Sequence, residues 1–415
     1  MTAKRPSAGT LWVVAGFAVF CAIYLNLAWY RLHAMLLGFD TGTFLQMLEN
    51  FATTGSTFET GEMRPHLAVH DSWTLLLFSP LVRLWPFAQT LMVIQVVVIA
   101  AAVFPLYAFG RHIGLSDRSA AAVALAWLIS PSVQGFAFGN FIENHVAPLL
   151  IFAIALAARA RSFVWTLVFA ELLMGVKEDE IFFVAWFALA SIALYDKRLG
   201  WAALGLAALN GVAYYGLEWL YGFVPYHPGY GLTVLDPWQH VAFFLEILAP
   251  FAFAPLWLGR AALLAVPLVY ELSFNARYGQ SLAHAGVHYS EPIVALIALA
   301  TMLVARRRPI FGRLALPCSL VMVAFFNTTV FRIGRHEYPP DWPAYRAAMR
   351  AATDGRRHDF TVDDEAGFAL AAGNLRAVYH DEHRAAAHAR PGWYSRVTPR
   401  VDLAPSPRAA RPAAI

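Results

Sequence analysis

The stretch from 162 to 196, SFVWTLVFAELLMGVKEDEIFFVAWFALASIALYD, decides how the chain is folded. It is about 35 residues long and apolar on both sides of one charged knot, Lys177-Glu178-Asp179-Glu180. Arg159 and Arg161 precede it, and Lys197 and Arg198 follow it. A helix rises 1.5 Å per residue, so one crossing of a hydrocarbon core of about 30 Å uses roughly 20 residues. The stretch is too long for one crossing, and both of its ends carry the cations expected of cytoplasmic turns. It therefore goes out and comes back as two short helices, 162–177 and 180–195, with the knot at the outer turn. Each is about 16 residues or roughly 24 Å long, short enough to hold the turn below the outer membrane boundary.

Further apolar runs on either side give an all-α polytopic membrane protein with about eleven transmembrane helices. The spans read as 11–31, 88–110, 119–138, 143–158, 162–177, 180–195, 199–223, 240–258, 261–275, 290–305 and 312–331. Changing sides at each span puts Lys4, Arg5, Arg111, Arg118, Arg159, Arg161, Lys197, Arg198, Arg260 and Arg306 to Arg308 on one face. Asp40, His66, His70, Glu143, His145, Glu178, Asp179, His284 and His288 fall on the other. The cations orient the chain, with a cytoplasmic N-terminus. The opposite, external pole is the one equipped for chemistry.

Composition supports this class: 59% of the 415 residues are hydrophobic, 14% are charged, and mean hydropathy is +0.52. Such a chain is no soluble globule. The net charge of +4 is spread singly or in pairs between apolar runs, which excludes a nucleic-acid patch. Cys21 and Cys318 each sit inside an apolar run, where a thiol packs as a small hydrophobe and not as half of a disulfide. The first run is too long for a secretory signal, and no small-residue cleavage site follows it.

Residues 1–331 form the membrane domain, with 32–87 as its first external loop. There Phe39, Phe44, Met47, Leu48 and Phe51 recur at helical spacing, predicting an amphipathic interfacial helix. Trp73 to Leu84 is apolar but only about 12 residues long, which suits an interfacial or re-entrant helix. Residues 332–415 are an external tail, partly folded or disordered. Asp341 to about Trp393 is compatible with a small fold, and the Pro- and Ala-rich end with disorder.

Several polar groups on the external face have two readings each. Asp40 either caps the interfacial helix or acts as a general base beside apolar walls, and the two are compatible. His66 and His70, four apart and followed by Asp71, are a partial set for a divalent metal, a phosphate or substrate contact, or a solvated helix. Glu143 and His145 open a short span with Pro148 one turn on; at membrane depth they are functional candidates or an interhelical hydrogen bond. Lys177, Glu178 and Asp179 are either a self-neutralising turn or a binding and acid/base group in which paired carboxylates raise one proton affinity. His284, His288 and Tyr289, near Arg277 and Glu291, hold a phosphate or form a hydrated loop. Tyr226 to Tyr230 and His240 line the same side.

These motifs, in this order, resemble the domain-of-unknown-function family 2079 of bacterial membrane proteins from Gly38 to about Arg308. The anchors are Phe39-Asp40-x-Gly42 with Phe44 and Gln46, His70-x-Ser72 with Pro80, Pro86, Gln95 and Pro105, Glu143-x-His145 with Pro148, Lys177-Glu178-Asp179, and His288-Tyr289 with Pro292. No regular external domain is traceable after Asp341. The family is grouped with GT-C fold glycosyltransferases, so the resemblance implies a GT-C-like architecture with interfacial helices in the first external loop. It also implies transfer of a sugar from a polyprenyl-phosphate donor to an acceptor hydroxyl at the external face. Asp40 then matches the acidic residue near the start of that loop, with Glu178 and Asp179 as assisting carboxylates. His66, His70, Glu143, His145, Lys177, His288 and Tyr289 would contact substrate, and the bilayer would hold the donor's tail.

Two other classes remain. A transporter or lipid flippase needs polar groups continuing through the bilayer, whereas the mid-span positions are nearly all apolar. A non-catalytic assembly protein would work through the tail.

Overall fold

The computed structural model describes residues 6–61, 64–220, 237–259, 290–326, 340–354, 360–362, 365–374 and 377–379. Helix α1 (Ala8–His33) starts at Ser7, whose hydroxyl accepts the Thr10 N–H, and its last turn carries Arg31, a cation that complements its carbonyl end. It leaves Leu11, Trp12, Val19 and Ile23 exposed, so water is not its surrounding medium. A second long helix runs from Ala88 to His112 as α3 (Ala88–Ala101) and α4 (Val103–His112). Next come α5 (Asp117–Ile129) and α6 (Pro131–Phe138), bent by 47° where Pro131 removes a backbone donor.

The hairpin follows as predicted in kind: α7 (Ala147–Arg159), α8 (Phe163–Met174), α9 (Glu180–Leu194) and α10 (Lys197–Leu220). Then come α11 (Pro237–Leu248), α12 (Glu291–Arg307) and α13 (Pro309–Phe326). Ten of the eleven expected runs fall on described helical segments, while 261–275 lies outside the described residues. By length and composition two of these helices, Ala8–His33 and Ala88–His112, are sufficient to cross a membrane alone. The bent pair makes a third if it is one span. The others are shorter, among them Phe163–Met174 and Glu180–Ala193.

Turns meet at two poles. At one, the Ser7 hydroxyl donates to Asp117 (2.8 Å), Tyr195 donates to the Ala158 carbonyl (2.6 Å), and Arg308 lies over Trp257. At the other, the first loop, residues 139–146, the hairpin turn and the tail converge. The loop contains a helix, Phe39–Thr54, closed by left-handed Gly55 (φ 77°). A two-residue antiparallel ribbon (Phe58–Glu59 with Arg64–Pro65) follows it. Amphipathicity predicted one wetted face for Phe39–Thr54. Instead Phe39 and every residue from Thr41 to Glu49 are buried, because the tail covers the other side.

That tail adds a second, parallel strand pair. Phe360–Val362 pairs in parallel with Ala377–Tyr379, and Glu365–Ala371 is the connecting helix. Phe368 packs against Phe39 and Tyr379, and the Gln46 amide and Thr60 hydroxyl both donate to the Ala377 carbonyl (2.8 and 3.0 Å). The earlier helix Trp342–Asp354 is tied down by Asp341 N–H donating to His33 O (2.8 Å).

The first loop also docks on the hairpin turn. Thr74 N–H donates to Gly175 O (2.7 Å), Thr74 hydroxyl donates to Leu172 O (2.6 Å), and the Trp73 indole occupies the space a Gly175 side chain would need. Gly175→Ala should therefore lower stability by about 1–3 kcal/mol through overpacking. Gly205→Ala, where nothing stands within 4 Å of the added carbon, should be neutral or stabilising. Thermal unfolding in detergent checks the pair; equal effects would mean that the loop does not sit on the turn.

Candidate functional site: a buried charge cluster at one pole

The hairpin turn distributes its charges to different partners. Lys177 Nζ lies 2.9 Å from Glu143 Oε1, with both side chains almost fully buried. Glu143 begins a 3-10 turn (Glu143–Val146) that leads into α7, with Pro148 in that helix's first turn. The next turn residue, Glu178, accepts from His70 Nδ1 (2.9 Å) and from the Asp71 N–H (3.2 Å). Consecutive residues thus bind the hairpin to two separate loops.

Burial alone would raise the Glu178 carboxyl, but the His70 charge and hydrogen bond override it and hold it down to about 2. Burial likewise opposes a charged His70, but the Glu178 carboxylate prevails and its proton affinity is raised. Asp179 has no such compensation. Burial pushes it up to about 7 and the Glu178 charge adds to this, against the pull of Lys177. Its carboxylate makes no hydrogen bond among the described residues.

His66 sits in a short 3-10 turn (His66–Ala68), with its ring 5.6 Å from His70 and edge-on to Phe44 at 4.9 Å. Neither ring nitrogen has a partner among the described residues, and burial together with the His70 charge lowers its proton affinity to about 3. His66 is a neutral imidazole. His145 Nε2 donates to Asn140 O (2.9 Å), which leaves Nδ1 sharing one proton with Glu291 Oε1 (2.9 Å).

Asp40 lies in the first turn of Phe39–Thr54, where a carboxylate faces the helix's positive end. It is not the cap: that position is Gly38. Gly38 N–H donates to Asn140 Oδ1 (2.9 Å), and the Phe141 N–H donates to the Thr41 hydroxyl (3.2 Å). Phe44, one turn along from Asp40, touches both Phe141 and His66. Buried Arg31 organises this junction by donating to the Phe138 and Gly139 carbonyls, to Leu36 O (2.7 Å) and to Asn140 Oδ1 (2.9 Å).

His66, His70, Glu143, Lys177, Glu178 and Asp179 are thus gathered, with His145 and Asp40 joined to them through residues 140–141. His288, Tyr289 and His284 lie outside the described residues, as do Arg277 and Tyr226 to Tyr230. His66, His70 and Asp71 do not form a ligand set: among the described residues no three His, Cys, Asp or Glu side chains are placed to hold a metal ion. Sequence reasoning gave no role to Arg31, and it placed Glu180 in the charged turn and Glu291 beside the His288 loop without making either a site residue. Both glutamates are almost fully buried and each keeps one unpartnered oxygen.

A helical bundle with apolar sides and a buried polar pole defines a membrane protein. Residues 31–217 match the model of the family described as predicted membrane protein (DUF2079), and this segment belongs to it. The match contains Asp40, His70, Glu143, His145 and the Lys177 turn and ends well before Arg308, so the His288-Tyr289 anchor is outside it. No curated protein matches the chain.

The pairing fixes a pH profile. His70, raised on folding, contributes stability that is full below its unfolded value of about 6.5 and is lost as pH rises through its folded value. Glu178, lowered on folding, contributes above its unfolded value of about 4.3 and loses this as pH falls toward about 2. The pair's own contribution to unfolding free energy in detergent should therefore be greatest between about pH 4.3 and 6.5, and His70→Gln should make the alkaline limb shallower than in the wild type, with the Asp179 part of that limb remaining. Asp179→Asn should stabilise above pH 7 and do little at pH 4 or below, since a carboxyl raised on folding weakens the fold as it ionises. An unchanged alkaline limb in His70→Gln would remove the ion pair from this account.

Proposed function

We propose that the protein is an integral-membrane glycosyltransferase-like enzyme. In this reading its polar pole faces the outside of the bacterial inner membrane and takes a sugar from a polyprenyl-phosphate donor. Asp40 is the general base: it accepts the proton of the acceptor hydroxyl as that oxygen bonds to the anomeric carbon. The bond from that carbon to the donor phosphate breaks, the sugar inverts, and the polyprenyl phosphate leaves with the electron pair. Asp179, whose proton affinity lies near neutrality, serves as the second carboxylate, and Glu178 holds His70. His66, His70, His145 and Lys177 frame the donor's phosphate side together with His288 and Tyr289, and Glu143 fixes the Lys177 ammonium.

The observation that carries this reading is the linkage of the Asp40 helix to the buried cluster through Asn140, Phe141, Phe44 and His66. It supports a role for Asp40 alongside a charge assembly too costly to keep buried for packing alone. A lipid donor suits a pole at the bilayer boundary, since its tail stays in hydrocarbon while its phosphate reaches the cluster.

Membranes containing the wild type should transfer radiolabel from polyprenyl-phosphate sugars, and Asp40→Asn should lower transfer by about a hundredfold or more. Equal transfer by both would remove Asp40 from the base role. Lipid flux in proteoliposomes without any covalent product would replace the enzyme with a flippase.

A further inference from the structure

The pole opposite the charge cluster has a cavity of about 210 Å³, lined by Arg161, Phe163, Thr166, Tyr195 and Asp196 among others. It lies where the ends of α7 and α9 meet the starts of α8 and α10. The Tyr195 hydroxyl bond to Ala158 closes one side. Its one lining acid is already engaged: Asp196 Oδ1 accepts the N–H groups of Arg198 (2.9 Å) and Leu199 (3.1 Å) at the start of α10.

The cations are engaged far less. The Arg161 side chain is exposed and makes no hydrogen bond, ion pair or ring contact among the described residues, while its backbone N–H donates to Ala158 O (2.9 Å). Its left-handed backbone (φ 56°) closes the Ala147–Arg159 helix, with that bond and the Ser162 N–H donating to Ala157 O (2.9 Å), and so fixes where the Arg161 side chain leaves the chain. Arg198 lies 5.3 Å over the Phe163 ring, which keeps its charge at the rim, and Lys197 is exposed beside it. Arg159 adds a fourth cation two residues before Arg161.

Depth is marked independently of charge. Trp165 and Trp201, near the starts of α8 and α10, are 57% and 62% exposed, and exposed tryptophans near helix ends mark the headgroup level. Val164 beside them is equally exposed and gives acyl chains an apolar wall. Arginine forks suit phosphate oxygens, and basic pockets between helices are suited to anionic headgroups.

We infer that this cavity binds the phosphate-bearing headgroup of an anionic phospholipid, with Arg161 as its principal contact and Lys197 and Arg198 at its rim. Native mass spectrometry of the full chain, released from nanodiscs of equimolar phosphatidylglycerol and phosphatidylcholine with matched acyl chains, tests this. The wild type should retain phosphatidylglycerol preferentially. Retention should fall about fivefold in Arg161→Gln and about twenty-five-fold in Arg161→Gln/Lys197→Gln. Arg161→Gly, which relaxes the left-handed backbone, should lose as much as Arg161→Gln, so a folding defect cannot produce the result. Arg306→Gln/Arg307→Gln, at the same pole, should keep the lipid. No preference in the wild type, or equal loss in that control, overturns the site. Displacement by millimolar inorganic phosphate assigns the cavity to a soluble anion and overturns the lipid.

Discussion

A lysine ammonium removed from water costs several kcal/mol unless an anion meets it, and Lys177 is met by Glu143. The rest of the polar pole depends on that pair. For Lys177 to reach Glu143, the turn between Phe163–Met174 and Glu180–Leu194 must stand beside the start of Ala147–Arg159. Once it does, the adjacent Glu178 points to the first loop and takes His70. One turn therefore fixes two loops that are far apart in sequence.

The remaining polar groups follow from this arrangement. Asp179, Glu180 and Glu291 are buried without a cation each, and His145 shares a proton with Glu291. Arg31 and Asn140 secure the other edge, where the helix carrying Asp40 begins. The tail completes the packing: Phe368 and Tyr379 hold Phe39, and Ala377 takes hydrogen bonds from Gln46 and Thr60. A helix that reads as interfacial is an interior one because residues more than 300 positions away lie over it.

The hairpin was legible because length and flanking charge allow one solution, and helices do stand on both sides of the Lys177 turn. The separation of Arg159, Arg161, Lys197 and Arg198 from Glu143 and Glu178 was legible for the same reason. Individual partners were not. Nothing in the spacing says that Lys177 chooses Glu143 and not its neighbours Glu178 and Asp179, since that choice depends on how helices pack. Glu291 read as a loop charge because it sits at a helix start, where carboxylates are common in water. The parallel pairing of Phe360–Val362 with Ala377–Tyr379 was hidden because three-residue strands carry almost no periodic signal.

The central claim, that the Lys177–Glu143 pair holds the polar pole together, is tested most directly by a double-mutant cycle read as unfolding free energy in detergent. Lys177→Met or Glu143→Gln alone should cost about 3–5 kcal/mol, because each strands a buried group, and the double variant should recover much of that loss. Additive losses, or single variants as stable as the wild type, would contradict it.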